Sequence, residues 1–299
     1  MEKHIFKFGD SSLALIIPKK WATKHGLSSQ SAISVDEGSR GELVLSAGAP
    51  AVSEAERFVS RSLSPVLAGR WVGLHYMYGT SRLRLYSKDG FTAAQVDAIE
   101  GKINSDCSGF EITSQSGTEI TIEDFTNIKE IDLGKVIGRL RFLVEQEFME
   151  VEGGNAASIR KLEQRVNRFY MLGVRYVNII QPRDYTRYIG MLAMLEQISD
   201  NMEMLSANLD RVPGVIYRAL HEEFSMCKAG FDGDSKSIES AAALRVDVRR
   251  RIAKARLDGL QAHLLTSIAD NISNIAEYGL KAEKERGDAI AIEGSDVGT

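Results

Sequence analysis

Glu196 and Asp200 stand four residues apart in MLEQISDNM. On a helix that spacing projects both carboxylates from one face about one turn apart, close enough to chelate a hard or borderline cation. The segment has a counterpart further on. LEQISDN at 195–201 and LTSIADN at 265–271 share Leu195/Leu265, Ile198/Ile268, Asp200/Asp270 and Asn201/Asn271, each pair 70 residues apart, the distance from Asp200 to Asp270. The apolar frame coincides as well, so Asp200 and Asp270 take equivalent places on the outer faces of two tandem three-helix units. The competing reading of such acids is a solvated face served by a nearby arginine.

A second set of charges gathers at the front of the chain. Lys3, Lys7, Lys19, Lys20 and Lys24 lie in or beside GDSSLALIIPKKWATKHGL, residues 9–27. Lysine ammoniums of this kind can hold a nucleic-acid phosphate backbone through counterion release, with strong salt dependence and little base reading. The competing reading of Lys19 and Lys20 is that they merely solubilise a small helix; the residues alone leave both open. Glu2, Asp10, Asp36, Glu37 and Glu42 nearly cancel the local charge, which makes doubling of the patch by dimerisation part of the expectation. The densest basic run, Arg245, Arg249, Arg250, Arg251, Lys254 and Arg256, reads as a solvated helix face balanced by neighbours and carries no assigned role.

Catalysis finds little footing, and the expectation is that the chain is not an enzyme. Its five histidines (His4, His25, His75, His221, His263) are scattered, and GxSxG, HExxH and a Gly-rich phosphate loop are absent. Two cysteines, Cys107 and Cys227, have neither CxxC spacing nor a disulfide framework to belong to. At 299 residues, 43% hydrophobic and 26% charged, the chain suits two or three ordinary globular domains. A net charge of -4 gives no global pull toward nucleic acid, so binding must come from a local patch. No leader opens the sequence and no apolar run approaches the roughly 20 residues of a membrane span. A soluble, cytoplasmic protein without membrane insertion is expected.

Three regions must position these side chains, giving a multidomain α+β chain. In 1–46, HIFKF and LALII read as strands about the turn Gly9-Asp10-Ser11-Ser12. Pro18 opens a short helix closed by Gly26, and AISV with ELVLS forms a second hairpin about Gly38 and Gly41. So small a unit has little core of its own, and a second copy of the chain is the simplest cover for LALII. In 50–125 a helix from Ser53 to about Ala68, a strand in WVGLHYMYG with Val72, Leu74, Tyr76 and Tyr78 on one face, and a strand in RLRLYS are predicted. They are followed by a helix capped at Thr92 and a hairpin of FEITSQ and EITIE, together a small α/β module of unknown role. In 130–285 the apolar stepping becomes helical: Ile159, Leu162, Val166, Phe169, Gly173, Tyr176, Ile180, then Tyr188, Met191, Leu195, Ile198, Met202, Leu205, Leu209. Turn signals at Gly153-Gly154, Pro182, Pro213-Gly214, Gly230 to Gly233 and Gly259 divide it into about six helices, an antiparallel bundle with repeats at about 130–210 and 213–285. The segment 286–299 is expected to be disordered.

Residues 1 to about 46 resemble the AbrB/MazE/SpoVT class of swapped-hairpin DNA-binding domains, through Gly9-Asp10-Ser11-Ser12, Ile17-Pro18-Lys19-Lys20, the helix to His25-Gly26-Leu27 and the closing hairpin. The resemblance implies half of a β-barrel completed by a second subunit, a homodimer through this domain, with basic residues on the duplex. QPRDYTRYIGMLAMLEQISDNMEML at 181–205 and HLLTSIADNISNIAE at 263–277 are similar to the PhoU family of phosphate-uptake regulators, built from two three-helix repeats. That similarity implies a divalent or iron metal cluster held by Glu/Asp-x-x-x-Asp motifs. Glu196 and Asp200 match the first motif; Asp270 keeps half of the second, with Thr266 where its acid belongs. The implied whole is a DNA-binding transcriptional regulator of phosphate uptake with a PhoU-like sensing or docking domain. Two other readings follow from the same resemblances: an adaptor on a phosphate transporter or sensor kinase without DNA binding, and an antitoxin-like regulator.

Overall fold

The computed structural model describes residues 4–9, 12–31, 33–37, 43–47, 53–182, 184–207, 212–231 and 235–287. Lys3, the acids Glu2, Asp10 and Glu42, the turn residues Ser11, Gly38, Gly41 and Gly233, Leu209, and the tail 288–299 lie outside them. The architecture is mixed α+β, in two compact units, Met1–Val52 and Ser53–Thr299. No helix among the described residues is long and apolar enough to cross a membrane.

The amino-terminal unit consists of two antiparallel hairpins and one short helix. β1 (Ile5–Phe8) pairs with β2 (Ser12–Leu15), and β3 (Ile33–Glu37) with β4 (Leu43–Ala47), as two separate two-stranded sheets. Between them in the chain lies α1 (Lys19–Lys24), where Pro18 is the capping residue rather than the first helical one. Gly26 closes α1 at φ +64°, a left-handed conformation that costs glycine no Cβ clash. Pairing of Ile5 with Leu15 and Lys7 with Leu13 fixes one face of the first hairpin, and Phe6 with Ala14 the other.

The second unit begins with a four-stranded mixed sheet. β5 (Glu54–Phe58) runs parallel to β6 (Arg82–Tyr86); β8 (Glu119–Asp124) lies antiparallel between β6 and β7 (Phe110–Gln115), giving the order β5-β6-β8-β7. α2 (Pro65–Met77) and α3 (Ala93–Asp106) cover one face. Leu83, Leu85, Ile120 and Ile122 pack there against Val72, Tyr76, Ile99 and Ile103. The uncovered face is a ladder of opposite charges, with Arg84 bonded to Glu56 at 2.7 Å and to Glu119 at 3.0 Å.

Two expectations for this module are corrected. Residues 53–68 are not one helix but β5 followed by the start of α2, and WVGLHYM of WVGLHYMYG is the second half of α2 rather than a strand. β5 is an edge strand with a single neighbour, so its sequence EAERF is charged and rich in helix formers, and only pairing to β6 makes it extended. In α2 the buried residues are Ala68, Gly69, Val72, Gly73, His75 and Tyr76, a stripe that steps by three and four. Val72 and Tyr76 fit either period. Gly69 and Gly73 decide, because they let α3 approach: a Cβ at Gly69 would lie 2.8 Å from the Ala98 carbonyl oxygen. The Thr92–Gln95 capping box of α3 forms as expected, and the Gln95 amide also donates to the Ser60 and Leu63 carbonyls at 3.0 and 2.9 Å.

After a 3-10 turn at Ile128–Glu130, six helices follow: α4 (Leu133–Glu152), α5 (Ala156–Ile180), α6 (Tyr185–Ser206), α7 (Gly214–Phe231), α8 (Ser235–Lys254) and α9 (Gly259–Gly287). α9 thus runs two residues into the segment expected to lack structure. Their apolar seams form one continuous core, and Leu195, Ile198, Leu265 and Ile268 of the repeated segments lie within it. Asn201, identical in both copies, is buried and donates across the bundle to Ser267 at 3.0 Å. α5 and α6 meet at Gly173, where a Cβ would come within 2.7 Å of the buried Leu192. Gly173→Val is therefore expected to cost about 1–3 kcal/mol through overpacking. Gly138→Ala, on the exposed face of α4 with open space around it, is expected to gain up to about 1 kcal/mol from helix propensity. Urea unfolding of the two variants beside the parent checks the contrast.

Candidate functional site

Of the acids singled out in the sequence, Glu196 and Asp200, but not Asp270, line a cleft of about 620 Å³ between the α/β module and the bundle. α2 forms one wall with Leu67, Arg70, Trp71 and Leu74; α3 adds Lys102. The opposite wall is α5 and α6, which bring Glu163, Tyr170, Glu196 and Asp200. α5 can serve both bodies because it is two-faced. Val166, Gly173 and Val177 point into the bundle, while Arg168, Arg175 and Asn178 bond the module at Ser105, Tyr76 and Met77.

Glu196 and Asp200 share one face of α6, as their spacing requires, and Glu163 joins them from α5. No ion pair or hydrogen bond reaches Glu196 or Asp200 among the described residues, and Glu163 accepts only from Asn167 on its own helix. Lys102, the lysine of the lining, is committed to Asp106. Burial pushes the Glu163 and Glu196 carboxyls up to about 7, helped by the charge of Asp200 on each. Asp200, at the exposed rim, is raised by partial burial and by Glu203. Beneath them Glu147 of α4 is fully buried. Burial lifts it to about 8 against the hydrogen bond donated by Ser199 at 2.5 Å, and its second oxygen has no partner among the described residues.

The second repeat builds the same inner device and a different surface. Glu223 of α7 is fully buried and accepts from Ser273 of α9 at 3.2 Å, as Glu147 does from Ser199. Burial raises it to about 7, opposed by Ser273 and Arg245. Sequence reasoning misses both glutamates. Each occupies an apolar seam position, Glu147 between Leu143 and Val151 and Glu223 between Leu220 and Cys227, and that mismatch is the available signal. On the surface, Asp270 is engaged by Arg245 at 3.0 Å and by Arg249. The unassigned basic run therefore supplies the arginines that this acid, unlike Asp200, possesses. Arg251 and Arg250 reach Asp247 at 2.6 and 3.9 Å.

The donor set for a metal cluster is incomplete in this arrangement. Among the described residues no three His, Cys, Asp or Glu side chains converge as one metal ion requires. Thr266 returns its hydroxyl to the Ala262 carbonyl of its own helix at 2.7 Å.

Of the lysines, Lys7 on β1 and Lys19, Lys20 and Lys24 on α1 are exposed and form no ion pair among the described residues. α1 has no acidic residue in its first turn and buries none of its side chains. The first hairpin exposes large apolar groups on both faces, with Ile5 at 59%, Phe8 at 73% and Leu13 at 68%. Comparison with known proteins found no family model, no curated protein and no solved structure that matches this chain.

Proposed function

We propose that the protein is a dimeric DNA-binding regulator whose helical bundle is its sensing or docking module, acting in phosphate-responsive control. The observation that carries the reading is the amino-terminal unit. No side chain described in 4–47 is buried, and the hairpin with its exit leaves Ile5, Phe6, Phe8, Leu13, Leu15 and Ile16 uncovered within one chain. Apolar surface on both faces of so short a hairpin favours cover by a second copy. Dimerisation would double the unpaired ammoniums of Lys7, Lys19, Lys20 and Lys24, enough for backbone affinity despite a net charge of -4. The likeness of 181–205 and 263–277 to phosphate-uptake regulator sequences supports the assignment of the bundle. Control requires that a signal at the bundle bind two arrangements of the dimer with different affinity.

Gel-shift titration against salt tests this. Lys19→Ala with Lys20→Ala removes two ammoniums from each chain of the dimer. The slope of log K against log salt should shrink by about 0.9 for each lost phosphate contact, with affinity falling about ten-fold or more. Unchanged affinity and slope, or a strictly monomeric protein by light scattering, would overturn the reading. Mapping of bound DNA at high and low phosphate then addresses the signal.

A further inference from the structure

We propose that the cleft between α2 and the α5–α6 wall binds an elongated organic cation of the aliphatic polyamine class. The proposal is independent of the DNA-binding reading. Its volume of about 620 Å³ is that of a small-molecule site. The two walls are chemically opposed: Leu67, Trp71 and Leu74 line one, while Glu163, Glu196 and Asp200 line the other. Lys102 is taken by Asp106, so three carboxylates face the single unpaired guanidinium of Arg70 among the described residues. Underneath, the fully buried Glu147 keeps one carboxylate oxygen without a partner among the described residues, close enough to Glu163 and Asp200 that their charges act on it. A cation in the cleft would offset the three acids that line it.

The shape of the acid set selects an organic cation over a metal ion. The carboxylates are spread over two helices, with Glu196 and Asp200 about one turn apart, and no three acids converge on one point among the described residues. A polyamine places separate ammoniums along a flexible chain and so can answer separated charges. Its methylene spacers would lie on Leu67, Trp71 and Leu74, a wall that offers a metal ion no oxygen ligand. An ammonium passing Trp71 or Tyr170 gains cation–π attraction in addition.

Trp21 and Trp71 are the two tryptophans of the chain, so in full-length protein carrying Trp21→Phe the fluorescence reports on the cleft alone. Spermidine titrated at constant ionic strength and mildly alkaline pH should change that fluorescence saturably at sub-millimolar concentration. Glu196→Gln with Asp200→Asn should weaken binding about ten-fold or more, with far-UV circular dichroism unchanged. Should that pair fail to fold, Glu163→Gln read by calorimetry serves instead, with the same loss expected. The proposal is overturned by three results: no saturation in the millimolar range, the same response to magnesium or manganese alone, or affinity unaltered in the acid variants.

Discussion

Arg175→Ala is expected to remove about 3–5 kcal/mol of stability. Arg175 is 1% exposed, and its guanidinium donates to the Tyr76 and Thr80 carbonyls and to the Asp124 carboxylate while lying 4.8 Å from the Tyr76 ring centre and 5.2 Å from that of Phe110. One side chain of α5 thus closes the end of α2, the last residue of β8 and the aromatic core of the module. Truncation leaves Asp124 as a buried charge without its arginine, two carbonyls without a donor, and a void between two rings. Lysine would keep the charge yet lose the planar fork, so Arg175→Lys should recover less than half of the loss. Urea denaturation followed by circular dichroism checks both values. A loss under about 1 kcal/mol for alanine would show that the module and the bundle do not depend on this contact.

The contrast between Arg175 and Glu196 shows what a sequence can carry. The bundle is legible because six long helices each bury a stripe that repeats every three or four residues, and a helix supplies that stripe locally. Leu195, Ile198, Leu265 and Ile268 are core because of their own spacing. Glu196 and Asp200 share a face for the same local reason. Arg175 cannot be read this way. It lies on the second face of α5, and its partners Tyr76 and Asp124 are 99 and 51 residues away in sequence. β5 escapes because an edge strand takes its conformation from its neighbour, and α2 because Val72, Leu74, Tyr76 and Tyr78 alternate while the helix buries only two of them. The pairing of Asp270 with Arg245 and Arg249 joins α9 to α8, two features that spacing alone keeps separate. Glu147 and Glu223 leave a visible trace, a carboxylate on an apolar stripe, yet one position on a seam says nothing of the serine that meets it.

Those buried glutamates lead to the second large effect, a loss of stability as pH rises from about 4.5 to about 8. Glu147 stands near 8, and Glu163, Glu196 and Glu223 near 7, all above the ordinary 4.5 of an unfolded glutamate. Raised acids hold protons in the folded chain that the unfolded chain has released, so folding is favoured by low pH. The contribution is complete below about 4.5 and disappears as pH climbs through about 7 to 8, with a limiting slope of about 1.4 kcal/mol per pH unit for each group. Groups around Glu147 temper or sharpen this: Ser199 stabilises its anion, whereas Glu163 and Asp200 oppose it. Around Glu223, Arg245 and Arg249 favour ionisation and Asp270 resists it, so the first repeat should dominate the slope. Glu147→Gln isolates that contribution. An amide still accepts from Ser199 but cannot ionise, so the variant should match the parent near pH 4 and exceed it increasingly up to about pH 8, with a higher Tm at the alkaline end. Parallel pH profiles of parent and variant would refute the assignment. Spermidine, if it occupies the cleft above, should flatten the parent's profile at the same end, because a bound cation stabilises the ionised forms of Glu163, Glu196 and Asp200 in the folded chain.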